Sequence, residues 1–505
     1  MARVPWPTSG AYGVVEKPST RIAHWALPLQ RQFFPEYTDP ETASLLSEED
    51  VRMDEAEFAQ VAASFATFHA QFAPLFGRKE AQAHGEQYVR GLLVQQTDRR
   101  NAENVAEVLE GVSARALQRF LTDAPWESAP VIARLQQFLG PRLSTPEGVW
   151  IIDESGFPKQ GRHSVGVAHQ YCGRLGKLAN CQVGVFLAYA SVRGHALVDA
   201  QLFLPEKWVD DAERCRVAEV PAEVGCATKA QIGLALLQAA RARGHLQGDW
   251  VTGDAGYGEV PSLRDALDAD GWRYVLELPL DTRVFTQPAA VAVPPWCGRG
   301  PHPTVPRLVP GTPSPQTVRA VAEALDAGAW ADLTVAEGAQ GPRTYQFAGL
   351  RVWESRDGLP DRACWLLLRR TLEGGELKAA FSNAAEDTPL LTMAQVGAAR
   401  WVVESELQTE KSETGLDEYE VRRWPGWHHH ITLSLLAGAF LLQMQQDWGG
   451  KDAPDHAAPG QPRATGAAAP ARVDRGRLAG LADRHPGPQR AGQTIPHQTA
   501  SPPAA

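Results

Sequence analysis

Two short apolar runs in this sequence each end in a carboxylate. Val149, Trp150, Ile151 and Ile152 lead to Asp153, and Trp250, Val251, Thr252 and Gly253 lead to Asp254. An unbroken apolar run of this length reads as a strand buried on both faces. Ser155, Gly156 and Pro158 close the first, and Ala255-Gly256-Tyr257-Gly258 follows the second. A carboxylate at the tip of a buried strand loses its hydration and needs a cation or hydrogen bonds in return; a turn-forming Asp occupies the same kind of position. The third acidic candidate lies in the stretch from Ala399 to Lys411, where Arg400, Glu404 and Lys411 recur at spacings of four and seven. At about 100° per residue these three fall within roughly 40° of one another on a helix, whereas Glu406 and Glu410 are turned from Glu404 by about 160° and 120°. Glu404 alone shares the cationic stripe. By itself such a stripe is most simply a solvated ion-pair face.

The elements that must position these residues can be read from the patterning. Residues 1–50 are irregular, with Pro5, Pro7, Pro18 and Pro28 too closely spaced for a long helix. Residues 51–145 carry helical spacing, as in Phe58, Val61, Ala62, Phe65 and Phe68. Inside this domain Arg99 and Arg100 precede one short helix, Gly111 breaks the chain, and a second helix carries Arg115, Gln118 and Arg119. That is the outline of a DNA-binding helix-turn-helix, and equally of an ordinary helical hairpin with solvated arginines. Residues 146–278 read as strand, hairpin, helix, strand, helix and strand. After the first strand comes a Gly- and cation-rich segment with Lys159, Arg162, His163, Arg174 and Lys177, suited to phosphate contacts. A hairpin turns at Arg193-Gly194, Thr228 to Arg243 forms a helix, and Trp272 to Leu278 supplies another strand.

Residues 279–387 begin with a Pro-rich stretch to Pro315 and a helix from Thr317 to Ala327. Four strands follow, Ala331–Val335, Tyr345–Trp353, Cys364–Arg370 and Leu377–Phe381, the last two joined by Glu373-Gly374-Gly375-Glu376. Residues 388–447 hold one long helix from Thr388 to about Thr414 and a second, largely apolar one from His428 to Gln446. His428-His429-His430 reads as a polar helix start rather than a metal site, since consecutive helix positions diverge by about 100°. Residues 448–505 are Ala, Pro, Gly and Arg with almost no large apolar side chains, a composition that predicts disorder.

With 505 residues the chain exceeds one ordinary core, and its 44% hydrophobic content is that of a globular protein. The net charge of -10 argues against a uniformly basic DNA-coating protein and leaves room for a local basic groove. Six scattered cysteines form no Cys-x-x-Cys pair, which supports neither a zinc ribbon nor a disulfide framework and favours the cytoplasm. The apolar run from Ile431 to Leu442 is too short to span a bilayer, so no membrane association is expected.

Two strand-end carboxylates and a helical Glu, in a strand, hairpin, helix, strand order, resemble the acidic triad of a ribonuclease H-like nuclease core. The resemblance sharpens on five stretches: Asp153 to Gly161, Ser164 to Tyr171, Asn180 to Val183, Gly253 to Gly258, and Arg400 to Lys411 with Gly415 to Arg422. Together they make the chain similar to insertion-sequence DDE transposases, the cut-and-paste group with an Arg-x3-Glu-x6-Lys signature, and most like its branch numbered seven hundred and one. The resemblance covers about residues 36–446. It implies an α/β fold, a ribonuclease H-like core interrupted by a β-rich insertion. It implies Asp153, Asp254 and Glu404 as ligands of two Mg²⁺ ions, with Mn²⁺ able to substitute, and Arg400 and Lys411 on DNA phosphates. In such chemistry one ion activates the attacking oxygen and the other stabilises the leaving oxygen. Lys159, Arg162, Arg99, Arg100, Arg115 and Arg119 complete the expected DNA contacts. The expected partner is double-stranded DNA, both the element's terminal inverted repeats and the target, bound by a homodimer at the nucleoid.

The sequence departs from the wider group at Gly397, where a Tyr is common, so no role for that Tyr carries over. Trp296, Trp330, Trp353 and Trp365 are candidates for stacking a flipped base, and equally for core packing. Two other functions fit the same residues: a metal-dependent nuclease without strand transfer, and a decayed transposase that only binds DNA. An intact acidic triad argues against the second.

Overall fold

The structure is a computed structural model that describes residues 55–95, 99–338 and 341–448. The irregular N-terminal segment and the tail beyond 448 lie outside the described residues. The chain begins with helices α1 (Glu55–Ala70), α2 (Lys79–Val94), α3 (Ala102–Val108), α4 (Ala114–Thr122) and α5 (Ser128–Leu143). Phe65, Phe68, Phe72, Phe76, Phe120 and Trp126 fill the space between them, many of these rings meeting edge to face. Asn101 caps α3 by accepting from the amides of Glu103 and Asn104, which fixes where that helix starts.

The sheet follows: β1 (Val149–Pro158), β2 (Ala168–Cys172), β3 (Lys177–Ser191) and β4 (Gly194–Leu202). Two short helices, α6 (Glu206–Val209) and α7 (Ala212–Val217), lead to α8 (Lys229–Arg243), which opens on a capping box between Thr228 and Gln231. Then come β5 (Trp250–Gly253), α9 (Ala255–Gly258), α10 (Pro261–Ala269), β6 (Arg273–Leu278), β7 (Arg283–Phe285), β8 (Val291–Ala292), β9 (Arg307–Leu308), β10 (Gln316–Thr317) and α11 (Val318–Glu323). The meander β11 (Ala331–Gly338), β12 (Gly341–Arg356), β13 (Leu359–Arg370) and β14 (Leu377–Ser382) precedes α12 (Leu390–Ala398), α13 (Arg400–Glu413) and α14 (Trp424–Trp448).

The principal sheet runs β10-β7-β12-β13-β14-β6-β5-β1-β3-β2, with β4 sharing an edge of β3 and β11 an edge of β12. Only β1, β5 and β6 are mutually parallel; their neighbours β3 and β14 run antiparallel to them. The β-rich segment is therefore continuous with the rest of the sheet, joined where Ala379 to Ser382 pair with Leu278 to Val275. Helix α14 packs on β4 on one side and on α2, α4 and α5 on the other. Being covered all round, it is apolar all round, which accounts for the run from Ile431 to Leu442. Among the described residues no helix is long and apolar enough to cross a membrane.

The elements differ from expectation in three places. Strand β1 does not stop at Asp153 but continues to Pro158, because β3 pairs with its whole length while β5 pairs only as far as Ile152. The segment expected as a phosphate-binding loop contains the hairpin of β2 and the first part of β3. Gly176, at φ +62, supports the turn, and the alternation of exposed Tyr171 and Leu178 with buried Cys172 and Cys181 is that of a strand pair. The long helix from Thr388 is two helices, interrupted at Ala399, whose amide donates to both Gln395 and Val396 carbonyls.

Candidate active site

The register of the parallel strands sets three acids in a row. Ile152 pairs with Gly253 and Gly253 with Leu276, so the next residues along, Asp153, Asp254 and Glu277, stand side by side across β1, β5 and β6. Ile152 and Leu276 are fully buried on one face, and their successors point to the opposite one. Two glycines allow the close packing this needs. A Cβ on Gly233 of α8 would press against Ile152, and one on Gly258 would overlap the Glu277 carbonyl.

Asp153 is only 7% exposed. Its Oδ1 accepts from the Glu154 amide at 2.7 Å. Burial first, and the neighbouring Asp254 second, push its pKa up to about 7, against the opposing influence of that amide and of Arg400. Asp254 caps the one-turn helix α9, its Oδ1 accepting from the amides of Gly256 (2.9 Å) and Tyr257 (3.3 Å). Glu404 comes from α13 and is largely exposed, with Oε1 at 2.7 Å from Arg400 Nη2.

Arg400 is the centre of the cluster. Its guanidinium is buried and faces three carboxylates: Glu404, Asp153 at 3.8 Å from Nη1, and Glu277 at 3.3 Å from Nε. The Nε makes no hydrogen bond. A residue expected on DNA phosphates thus neutralises the acidic row. Lys411, in the last turn of α13, is half-buried near Asp417 and Arg174, and burial lowers its pKa.

The other glutamates of α13 are committed elsewhere. Glu406 meets His195 of β4 at 2.8 Å; burial works against protonation of that imidazole, but the carboxylate prevails and its pKa is raised. Glu410 is buried against α14, accepting from Thr414 Oγ1 at 2.6 Å.

Of the remaining expected DNA contacts, two are turned inward. Arg100 is buried, its Nε donating to the Leu92 carbonyl at 2.9 Å and its Nη1 paired with Glu418 at 3.6 Å. Lys159 donates to the Tyr419 carbonyl and lies 3.5 Å above that ring, and burial brings its pKa down to about 8. Both side chains are occupied by the protein itself. Arg99 and Arg162 are exposed, as are Arg115 and Arg119 on the outer face of α4, whose inner face holds Leu117, Phe120 and Leu121. Among the described residues no hydrogen bond or ion pair joins Arg115 or Arg119 to the acidic row.

The three histidines of α14 do not converge. His429 bonds to the Leu121 and Trp126 carbonyls at 2.8 Å each, and His430 to Tyr88 and the Gly415 carbonyl. His429 and His430 tie α14 to the helical domain, and His428 bonds back to the Trp424 carbonyl within α14, so the three do not form a polar helix start.

Sequence reading missed Glu277. The signal was available: Glu277 is the single acid inside the apolar strand Arg273–Leu278, where a buried-strand pattern has no place for one. It was hidden because its partner Arg400 is 123 positions away in a different element.

The donor set is chemically suited to a hard divalent ion, since every nearby acidic group offers carboxylate oxygen. As the side chains stand, no three among the described residues converge on a common point. The guanidinium of Arg400 lies between them. Glu404, exposed and held by one ion pair, is the carboxylate best able to turn.

Fold and site together describe an α/β protein with acids gathered where the parallel pairing of β1, β5 and β6 ends. A family model described as DDE superfamily endonuclease matches residues 71–342, more than half of the chain, and the protein belongs to that family. Asp153, Asp254 and Glu277 fall inside the matched region and Glu404 outside it. No curated protein matches the sequence. Members of this family generally use divalent metal ions and act on DNA.

Proposed function

We propose that this protein is a DNA transposase that cleaves the ends of its own insertion sequence and joins them to target DNA. The observation that carries the reading is the proximity of Asp153, Asp254 and Glu404, which come from three elements far apart in sequence: the buried Arg400 faces Asp153 and Glu404, and Asp254 stands beside Asp153. The strand order β4-β3-β1-β5-β6, antiparallel and then parallel with an acid just beyond the parallel pairing of β1 and β5, supports a ribonuclease H-like core. On that reading residues 51–145 form the end-binding domain, 146–278 and 388–447 the core, and 279–387 a β-rich insertion.

Asp153, Asp254 and Glu404 would hold two Mg²⁺ ions, which activate the attacking oxygen and stabilise the leaving one when bound. In the reaction a water or 3′-hydroxyl oxygen gives up its proton to solvent and attacks phosphorus, the bond from phosphorus to the 3′ oxygen breaks, and the leaving oxygen takes up a proton from solvent. The protein's share is positioning. β1 and β5 fix two carboxylates on a rigid sheet, α9 orients Asp254 through two backbone amides, and burial raises the pKa of Asp153, so that positive charge placed beside it favours its ionised form. Arg400 balances the charge of the acidic row from within, Lys411 adds cationic charge on the same helix, and Arg99, Arg162, Arg115 and Arg119 are the exposed cations for outer phosphate contacts. A homodimer would bring two ends together.

The matching model is that of an endonuclease, which favours cleavage without strand transfer as the second reading. Incubation with DNA bearing the element's ends, Mg²⁺ and a target plasmid distinguishes the two. Joined products are expected; cut ends that are never joined would leave the endonuclease reading, and uncut DNA would remove both.

A further inference from the structure

We infer that Glu277 is a positioning residue: it retains Arg400 at the margin of the acidic site and so leaves Asp153 and Glu404 available to divalent cations. This rests on the reading that those carboxylates hold metal.

Arg400 is the first residue of α13, directly after the break at Ala399, and its charge is buried. A buried guanidinium without an anionic partner is strongly unfavourable, so Arg400 must keep at least one carboxylate. Three are within reach: Glu404 at 2.7 Å, Glu277 at 3.3 Å and Asp153 at 3.8 Å. Two of the three are expected to turn their oxygens to cations. Only Glu277 is left to satisfy Arg400 when they do.

Its placement suits that task. Glu277 sits within β6, paired to Ala380 of β14, and its backbone lies directly under Gly258 of α9. The same short helix is capped by Asp254, so the distance between the anchor and the catalytic row is set by strand and helix backbones rather than by flexible side chains. The Nε of Arg400 lacks a hydrogen bond while standing 3.3 Å from Glu277, and a small reorientation toward Glu277 would complete one. Without Glu277, Arg400 can be neutralised only by Asp153 and Glu404, and competes with the cation for their oxygens.

The test is Mn²⁺ binding to the full-length protein without DNA, followed by the electron paramagnetic resonance of free Mn²⁺. Glu277→Gln should weaken binding about tenfold, equivalent to about 1.4 kcal/mol. Arg400→Gln should tighten it, because a competing cation is gone. In the Arg400→Gln background the further change Glu277→Gln should cost less than about a third of its effect in the wild type, as a double-mutant cycle reads coupling. An equal cost in both backgrounds would mean that Glu277 acts on the ion directly, and no cost in either that it is a bystander; each overturns the proposal. Should Glu277→Gln fail to fold, Arg400→Gln alone decides, with unchanged or weaker binding the refuting result. Asp153→Asn separates the proposal from the reading beneath it: if that variant binds Mn²⁺ like the wild type, the carboxylates are not metal ligands at all.

Discussion

Replacing Glu410 by Gln should make the protein more stable as pH rises, and the size of the effect follows from where the carboxyl lies. Glu410 is 3% exposed, packed where α14 presents Gly438 with no room for a Cβ. Burial first, and the nearby charge of Glu406 second, raise its pKa well above the usual carboxylate range. The folded state therefore keeps a proton that the unfolded chain releases above about pH 4.3. An acid whose folded pKa is raised stabilises relatively at low pH and loses that contribution as pH rises, here by about 1.4 kcal/mol per pH unit while the folded carboxyl stays protonated. Gln has nearly the same shape and cannot ionise. The difference in unfolding free energy between Glu410→Gln and the wild type should thus grow in favour of the variant as pH rises above the unfolded carboxyl's range, for as long as the folded carboxyl keeps its proton. Urea unfolding of both proteins at pH 5, 6 and 7 measures it, since other titrating groups cancel in the difference. A difference that stays flat with pH would refute the placement of Glu410 as a buried neutral acid. Cleavage by the variant should persist, since Glu410 faces α14 and not Asp153.

Three further outcomes are expected. Glu404→Gln should eliminate DNA cleavage while Glu406→Gln, which disturbs only the contact with His195, reduces it modestly; the reverse order in parallel cleavage rates would show the register of α13 to be misassigned. Glu354→Gln should destabilise the fold by about 3–5 kcal/mol, because Arg264 is buried with it at 2.7 Å and would be left uncompensated; a loss under 1 kcal/mol in thermal or urea unfolding would contradict this. Arg115→Ala with Arg119→Ala should weaken binding to the element's ends and flatten its salt dependence by about two counterions' worth, and an unchanged slope would remove α4 from the interface.

Much of the core and of the site was legible because local pattern and chemistry coincide there. Apolar runs ending at Asp153 and Asp254 are strands with acids beyond their parallel pairing, and the helical spacing of Arg400 and Glu404 puts them in contact. Where side chains serve the interior through contacts remote in sequence, the reading failed. Arg100 and Lys159 look like free cations until Glu418, Leu92 and Tyr419 close over them. Glu277 looks like an isolated charge until β6 aligns it with Asp254. The hairpin of β2 and β3 was hidden by glycines and cations on its exposed rim, and the two tying histidines of α14 by their having carbonyl partners in the helical domain.

The central claim is that Asp153, Asp254 and Glu404 act together on a phosphodiester. Its most direct test is the rate of Mg²⁺-dependent cleavage of DNA carrying the element's ends, measured for the wild type, Asp153→Asn and Asp254→Asn alongside DNA affinity in EDTA. Both variants should lose cleavage by at least about a thousandfold, on the order expected for removing a metal ligand, and bind DNA within about threefold of the wild type. Cleavage at the wild-type rate by either variant would contradict the account.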